Sequence, residues 1–419
     1  MEGARQLAQG KRPNLSDLLL TPANVNRVTQ QLAQMRGAAM KLGQLVSMDA
    51  GDLLPPELAA LLDRLRSDAQ AMPRRQVQAV LSANWGAGWQ QRFEPFSFNP
   101  IAAASIGQVH RATTRDGRDL AIKIQYPGVR KSISSDVNNV ASLLRLSGLI
   151  PKTLDLAPLL SEAKRQLREE ADYQLEGAHL LRFAGLLADA PEFVVPAFHA
   201  DLSTKNVLAM SCVGGVPVES MVDAPQAERD RIVSLLVGLL FRELFEFGLM
   251  QTDPNFANYR YDPATRQLML LDFGATRSFS LEFGQGYRAL MMAAMAGDRA
   301  AMKRTLLAIG YFSAQTQPKH QDAVLSLCEL ALTPLRQQGN FDFASSDLVP
   351  RLREAGMALG LDRDFWHIPP IDTLFLHRKL GGLYLLAARL RARVNVQQLV
   401  REYEAVGERA AFSKSVKAA

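Results

Sequence analysis

Hydrophobic and polar positions change their period twice along this chain. Up to about residue 94 the pattern is helical. Residues 30–48 contain few breakers, and Leu42, Leu45 and Val46 recur at i, i+3 and i+4. Leu53-Leu-Pro-Pro56 ends that segment, because proline disfavours helix at the residue before it. A second helix is predicted over 56–65. Met72-Pro73 opens a third, with Val77, Val80 and Leu81 on one side, and Asn84-Trp-Gly-Ala-Gly88 closes it. From about Phe93 the period shortens to two. Gly107-Gln-Val-His-Arg-Ala112 and Leu120-Ala-Ile-Lys-Ile-Gln-Tyr126 are predicted strands, joined through the hairpin signal Thr114-Arg-Asp-Gly117. Leu120, Ile122 and Ile124 alternate with Ala121, Lys123 and Gln125, so the two sets face opposite ways.

Beyond the hairpin the pattern predicts one long helix over 159–187, strands at 193–195 and 206–210, and a hinge at Gly214-Gly215. A helix of mixed charge follows over 227–250, and a strand at 266–271 runs into Asp272. After about Ser278 the chain reads as helical, broken at Pro334, Pro350 and Pro369-Pro370. The expected class is α+β: a helical extension (1–94), a small β-rich lobe (95–213) and a large, mostly helical lobe (214–419), with no internal repeat.

Composition narrows the function classes. With 419 residues, 47% of them hydrophobic, the chain can bury two or three cores. The net charge of +6 comes from 48 basic against 42 acidic residues, without the clustered Lys/Arg and interleaved aromatics of a nucleic-acid binder. No nucleic-acid partner is expected. Cys212 and Cys328 form no C-x-x-C pair, which fits a reducing compartment. The N-terminus lacks the apolar core of a secretory signal, and the apolar run 232–241 is too short to cross a bilayer. The expected place is cytoplasmic, without a transmembrane anchor, and surface attachment to a membrane stays open.

The chemistry concentrates in two motifs. Asp253-Pro-Asn-Phe-Ala-Asn258 places a carboxylate and an amide on one loop, and Asp272-Phe-Gly274 follows behind a strand. Such groups hold magnesium on a nucleotide triphosphate and orient an attacking group: Asp272 as the main metal ligand, Asn258 as the second, Asp253 near the acceptor. Lys123, in mid-strand, can reach the α- and β-phosphates if a helix carboxylate holds it. Glu169, Glu170, Asp172 and Glu176 are the candidates, and Asp172 and Glu176 share a face at i, i+4. Upstream, Ala102, Ala103, Ala104, Ser105, Gly107 and Gln108 occupy the place of a phosphate-cradling loop. Such a loop normally uses glycines so that backbone N–H groups approach oxygen. Alanines restrict the backbone and alter the preference between triphosphate and diphosphate. Lys41 and Gln44 share the polar face of an amphipathic helix, and alone imply no more than that.

Taken together and in order, these motifs resemble the UbiB family of atypical protein-kinase-like proteins, whose members support coenzyme Q (ubiquinone) biosynthesis. The resemblance covers residues 36–277. It rests on Lys41-Leu-Gly-Gln44, Ala102-Ala-Ala-Ser-Ile-Gly-Gln-Val-His110, Ala121-Ile-Lys123, Glu170-Ala-Asp172, Gln251-Thr-Asp-Pro-Asn-Phe-Ala-Asn258 and Leu271-Asp-Phe-Gly-Ala275. It implies a two-lobed protein-kinase-like fold whose helical extension folds over the active site. It implies binding of ATP or ADP with Mg2+ and ATPase activity rather than clear protein phosphorylation. Lys123 would then hold phosphates, with Glu176 as its helix partner and Glu170 as second choice. Glu170 and Asp172 would meet Lys41 and Gln44. Met210, Ser211 and Val213 would face the adenine by order along the chain. Implied partners are enzymes of ubiquinone synthesis, a lipid or quinone-precursor molecule, and peripheral contact with a bacterial inner membrane. A phosphotransferase and a nucleotide-binding scaffold without turnover are the alternatives. The C-terminal third carries no motif of the family.

Overall fold

The computed structural model describes residues 71–146, 157–361 and 369–403. The helices expected over 30–48 and 56–65, with Lys41 and Gln44, lie outside the described residues. The chain divides into two compact units, Met1–Leu181 with Pro196–Cys212 and Arg182–Val195 with Val213–Ala419.

In the first unit, helix α1 (Arg74–Trp85) precedes three antiparallel strands, β1 (Phe93–Ala103), β2 (Gly107–Thr114) and β3 (Asp119–Gln125). Helices α2 (Val129–Leu146), α3 (Ala157–Glu170) and α4 (Tyr173–Leu186) follow. Later in the chain β5 (Val207–Ser211) completes a four-stranded sheet of order β1-β2-β3-β5. The expected alternation in β3 has a physical counterpart on each face. Leu120, Ile122 and Ile124 pack with Val207, Ala209, Val77, Leu81, Trp85 and Trp89 in one core. Burying a side chain of this size contributes about 1.5–3 kcal/mol. The opposite face carries Lys123.

The single helix expected over 159–187 is two helices. Ala171 and Asp172 interrupt it, and the Tyr173 N–H bonds to the Lys205 carbonyl at 3.2 Å instead of continuing α3. The Asp172 carbonyl then accepts from Leu175 and Glu176, so Asp172 stands at the start of α4.

The second unit begins with β4 (Phe193–Val194), β6 (Val216–Pro217) and helix α5 (Gln226–Arg242). The apolar run 232–241 lies inside α5, with eight of its residues buried: Ile232, Val233, Leu236, Val237, Gly238, Leu239, Leu240 and Phe241. The helix expected to reach Met250 stops earlier. A π-helical turn, Glu243–Phe247, ends at Gly248, whose left-handed φ of 56° releases the chain into strand β7 (Leu249–Gln251). β8 (Tyr259–Asp262), β9 (Gln267–Leu270) and β10 (Thr276–Ser278) follow. Helices α6 (Leu281–Ala296), α7 (Arg299–Ile309), α8 (Pro318–Ala331), α9 (Leu348–Leu361) and α10 (Ile371–Arg389) then build the helical part. Two short strands interrupt the expected helical end, Phe341–Asp342 paired with Arg393–Val394. Among the described residues no helix is long and apolar enough to cross a membrane.

Candidate active site

The first unit places a cation on the face of β3 turned away from the core of Leu120, Ile122 and Ile124. Lys123 Nζ lies 2.9 and 3.0 Å from the two carboxylate oxygens of Glu176 on α4, and both side chains are buried. The Tyr173 ring stands 5.3 Å from the ammonium. Of the four carboxylates open to the sequence reading, the structure sets Glu176 against Lys123. Glu169 pairs with Arg165 on its own helix at 2.6 Å. Asp172 pairs with Lys205 at 3.3 Å and with Arg130 at 3.5 Å. Glu170 Oε2 accepts from Ser105 Oγ at 3.1 Å, tying α3 to the alanine-rich segment.

That segment is the tip of a hairpin rather than a free loop. β1 extends through Ala102 and Ala103, paired with Val109 and Gln108, and the Ala104 N–H donates to the Gly107 carbonyl at 2.9 Å. Ala102 and Ala103 are exposed, and Ala104 and Ser105 are half-buried. Gly107 is needed for packing, since a Cβ there would stand 2.2 Å from the Ile124 carbonyl oxygen. The Gln108 side chain turns inward: Oε1 accepts from the Met72 N–H at 2.7 Å, and Nε2 is 2.7 Å from His110 Nε2. Met210 is buried on β5 opposite Ala121, Ser211 Oγ accepts from the Ala197 N–H at 2.8 Å, and Val213 lies in the second unit, at the start of its longer segment.

In the second unit, two ladders bring the two acidic motifs side by side. β7 pairs with β10 (Gln251 opposite Thr276), and β8 pairs with β9 (Tyr259 opposite Leu270). The loop between β7 and β8 carries Asp253 and Asn258, and the loop between β9 and β10 carries Asp272. Both loops therefore span the same two ladders as neighbours. The Leu271 N–H donates to the Asn258 carbonyl at 3.0 Å, and the Thr252 N–H donates to the Ala275 carbonyl at 2.9 Å. Asp272 Oδ1 accepts from the Gly274 N–H at 2.9 Å, and its carbonyl accepts from Gln251 Nε2. Phe273 is fully buried against Phe183, ring centroids 4.9 Å apart. Asn258 turns Nδ2 toward the Asp253 carbonyl at 3.5 Å.

Four residues at this site carry no signal in the motif reading. Arg378 on α10 donates from Nη2 to Asp253 Oδ1 at 2.6 Å. Lys379 beside it is buried and donates to the Gln251 carbonyl at 2.8 Å and the Tyr259 hydroxyl at 3.1 Å. Lys379 Nζ also lies 3.3 Å from the buried Glu243 carboxylate, whose Oε1 accepts from the Gln251 N–H at 3.0 Å. Burial pulls the Lys379 ammonium down, but the Glu243 carboxylate and the Tyr259 hydroxyl outweigh it and hold the ammonium above its ordinary value. Burial pushes the Glu243 carboxyl up, against the pull of Lys379. Gly382 completes the contact, because a Cβ there would lie 2.1 Å from Pro254 Cβ. Charged residues inside apolar helices, such as Glu243 and Lys379, were the one sequence signal available.

The donor set suits magnesium. Asp272 and Asn258 offer hard oxygen atoms, and magnesium takes one or two carboxylates together with water and phosphate oxygens. Among the described residues no group of three or more His, Cys, Asp or Glu is preformed for a metal, and a site completed by a nucleotide needs none.

A strand lysine held by a helix carboxylate, with two acid-bearing loops after it, defines a protein-kinase-like enzyme. The ABC1 atypical kinase-like domain matches residues 64–306. Atypical kinase COQ8, mitochondrial, of Saccharomyces cerevisiae is 37% identical over 407 residues, covering 96% of this chain and 80% of that protein. Atypical kinase COQ8B, mitochondrial, of Rattus norvegicus is 38% identical over 387 residues, covering 92% and 73%. Among solved structures, the complex of Rv3197 with erythromycin from Mycobacterium tuberculosis superposes with a TM-score of 0.64 at 25% identity, over 90% of this chain and 95% of that one. The chain belongs to the UbiB family of ABC1-type atypical kinases, ATP-dependent enzymes of ubiquinone biosynthesis.

Proposed function

We propose that this protein binds ATP or ADP with Mg2+ and hydrolyses the triphosphate, in support of ubiquinone synthesis and in contact with a lipid or quinone-precursor molecule. In the first unit Lys123, held by Glu176, carries the phosphate-binding charge. The hairpin tip Ala102-Ala-Ala-Ser105 sets the preference between nucleotides, and Met210, Ser211 and Val213 face the adenine. In the second unit Asp272 and Asn258 hold magnesium, which neutralises phosphate charge when bound. Asp253 orients the attacking water. Glu170 and Asp172 meet the Lys41-Leu-Gly-Gln44 segment. The enzymes of ubiquinone synthesis are its protein partners, at the periphery of the inner membrane.

The observation that carries this reading is the double ladder that seats Asp253, Asn258 and Asp272 on adjoining loops. The test is ADP release by the purified chain and its Asp272→Asn variant, with and without anionic vesicles and a phenolic quinone-precursor mimic. Hydrolysis yields free phosphate, and labelled phosphate on an acceptor would instead mark a phosphotransferase. An Asp272→Asn protein that binds Mg-ATP as tightly as the wild type refutes the metal assignment. A rate indifferent to both additions refutes the lipid and quinone coupling.

A further inference from the structure

Arg378 lies outside every motif of the chain, yet it is bonded to the carboxylate of Asp253. Its Nη2 donates to Asp253 Oδ1 at 2.6 Å, across 125 positions of sequence. The side chain is nine-tenths buried, with 10% of its surface exposed. Its second terminal nitrogen, Nη1, is buried and has no hydrogen-bond partner among the described residues. A buried guanidinium N–H without an acceptor is costly, so the group calls for a partner that the described residues do not supply.

The neighbourhood narrows what the acceptor is. The guanidinium fork is planar and rigid, so Nη1 is fixed beside the nitrogen that holds Asp253. Whatever Nη1 binds therefore sits next to the carboxylate that orients the attacking group. Lys379, the next residue, is committed to Gln251, Tyr259 and Glu243. An anion suits that place, because the fork matches the oxygens of phosphate and carboxylate.

We infer that Arg378 is a phosphoryl-binding residue: Nη2 fixes Asp253, and Nη1 takes an oxygen of the γ-phosphoryl group of ATP. The inference rests on the function proposed above. In the step concerned, the water oxygen bonds to the γ-phosphorus while the bond from that phosphorus to the bridging oxygen breaks. ADP leaves with that electron pair, and the water proton passes to the released phosphate. Charge on the equatorial oxygens is what a guanidinium at this place stabilises. ADP lacks the group that Nη1 binds, so the contact distinguishes the two nucleotides.

The experiment compares Mg-ATP and Mg-ADP affinities by calorimetry, and ADP release, for the full chain and its Arg378→Gln, Arg378→Lys and Asp253→Asn variants. Arg378→Gln is expected to weaken Mg-ATP binding by about tenfold or more, the size of one charge-assisted hydrogen bond. Mg-ADP binding should stay within about twofold, well under that loss. Arg378→Lys, which keeps the charge, should recover part of the preference for ATP. An unchanged ratio of the two affinities in Arg378→Gln overturns the inference, whether both affinities hold or both fall together with the melting temperature. If Asp253→Asn abolishes turnover while Arg378→Gln leaves that ratio unchanged, only the role of Arg378 fails. If Asp253→Asn leaves turnover unchanged, the underlying site reading fails as well.

Discussion

Lys123 and Glu176 form a two-pronged ion pair in which both carboxylate oxygens lie within 3.0 Å of one ammonium. Only 8% of the lysine side chain and 1% of the glutamate side chain are exposed. Desolvating two charges is unfavourable, and their attraction offsets it only while both are present. Replacing Lys123 by Met takes the ammonium away from the buried Glu176 carboxylate and should destabilise the first unit by about 3–5 kcal/mol. Adding Glu176→Gln should restore part of that loss. Chemical denaturation followed by the fluorescence of Trp85 and Trp89, both buried in the same unit, measures it. If the double variant is no more stable than Lys123→Met alone, the pair is not coupled as described.

His110 makes the first unit sensitive to acid. Its Nδ1 faces the Ser97 carbonyl at 2.8 Å, and its Nε2 faces Gln108 Nε2 at 2.7 Å. Gln108 Oε1 is already bound to the Met72 N–H, so the amide presents a donor and the imidazole must accept. Protonation would set two donors against each other. Burial lowers the His110 pKa from its ordinary 6.5, against the opposing effect of the Ser97 carbonyl. The unfolded chain therefore binds the proton more readily. The stabilisation is complete above 6.5 and is lost as pH falls below it toward the lowered value. Unfolding free energies measured between pH 8 and 5 should decline on the acid side in the wild type and decline less in His110→Gln. Equal slopes for the two proteins would count against this account.

What could be read from sequence is what local spacing determines. The β2–β3 hairpin followed from alternation and a turn signal, and the ladder of β2 on β3 runs from Gly107 opposite Gln125 to Thr113 opposite Asp119. Asp253, Asn258 and Asp272 stood out because their chemistry lies within two short stretches. Elements set by distant partners did not. The break between α3 and α4 depends on the Lys205 carbonyl, and β1 was hidden by Pro95 and Pro100 and by the bulged register that accommodates them. Arg378, Lys379 and Gly382 act on residues more than a hundred positions upstream, and no periodicity in α10 marks which of its side chains do so.

Glu243 and Lys379 should behave differently from the first pair, because their balance depends on pH. Burial already pushes the Glu243 carboxyl above 4.5, and Lys379 is the largest influence holding it down. In Lys379→Met the folded state holds a proton on Glu243 that the unfolded state releases. Stability of that variant should therefore fall as pH rises above the ordinary carboxylate value, by up to about 3–5 kcal/mol relative to wild type near pH 8. At pH 5 the deficit should be smaller. Adding Glu243→Gln should flatten the dependence. Thermal melts across this range decide it, and a deficit that does not change with pH would show that Lys379 matters for packing rather than charge.

Gly382 tests whether α10 sets the geometry of the loop that carries Asp253. A methyl group at this position would lie 2.1 Å from Pro254 Cβ and 2.9 Å from its Cγ. Proline has little freedom to yield, so the loop or the helix must shift. Overpacking of this kind costs about 1–3 kcal/mol. Glycine within a helix is itself about 1 kcal/mol worse than alanine, so relief of that penalty offsets part of the strain. The net effect on melting temperature should thus be modest. The effect on chemistry should be larger, since Pro254 adjoins Asp253 and small displacements of a group that orients the attacking water are expensive. Gly382→Ala should lower kcat for ADP release by about tenfold or more while leaving KM for ATP nearly unchanged. A variant with wild-type kcat would mean that the loop absorbs the methyl group without moving its carboxylate.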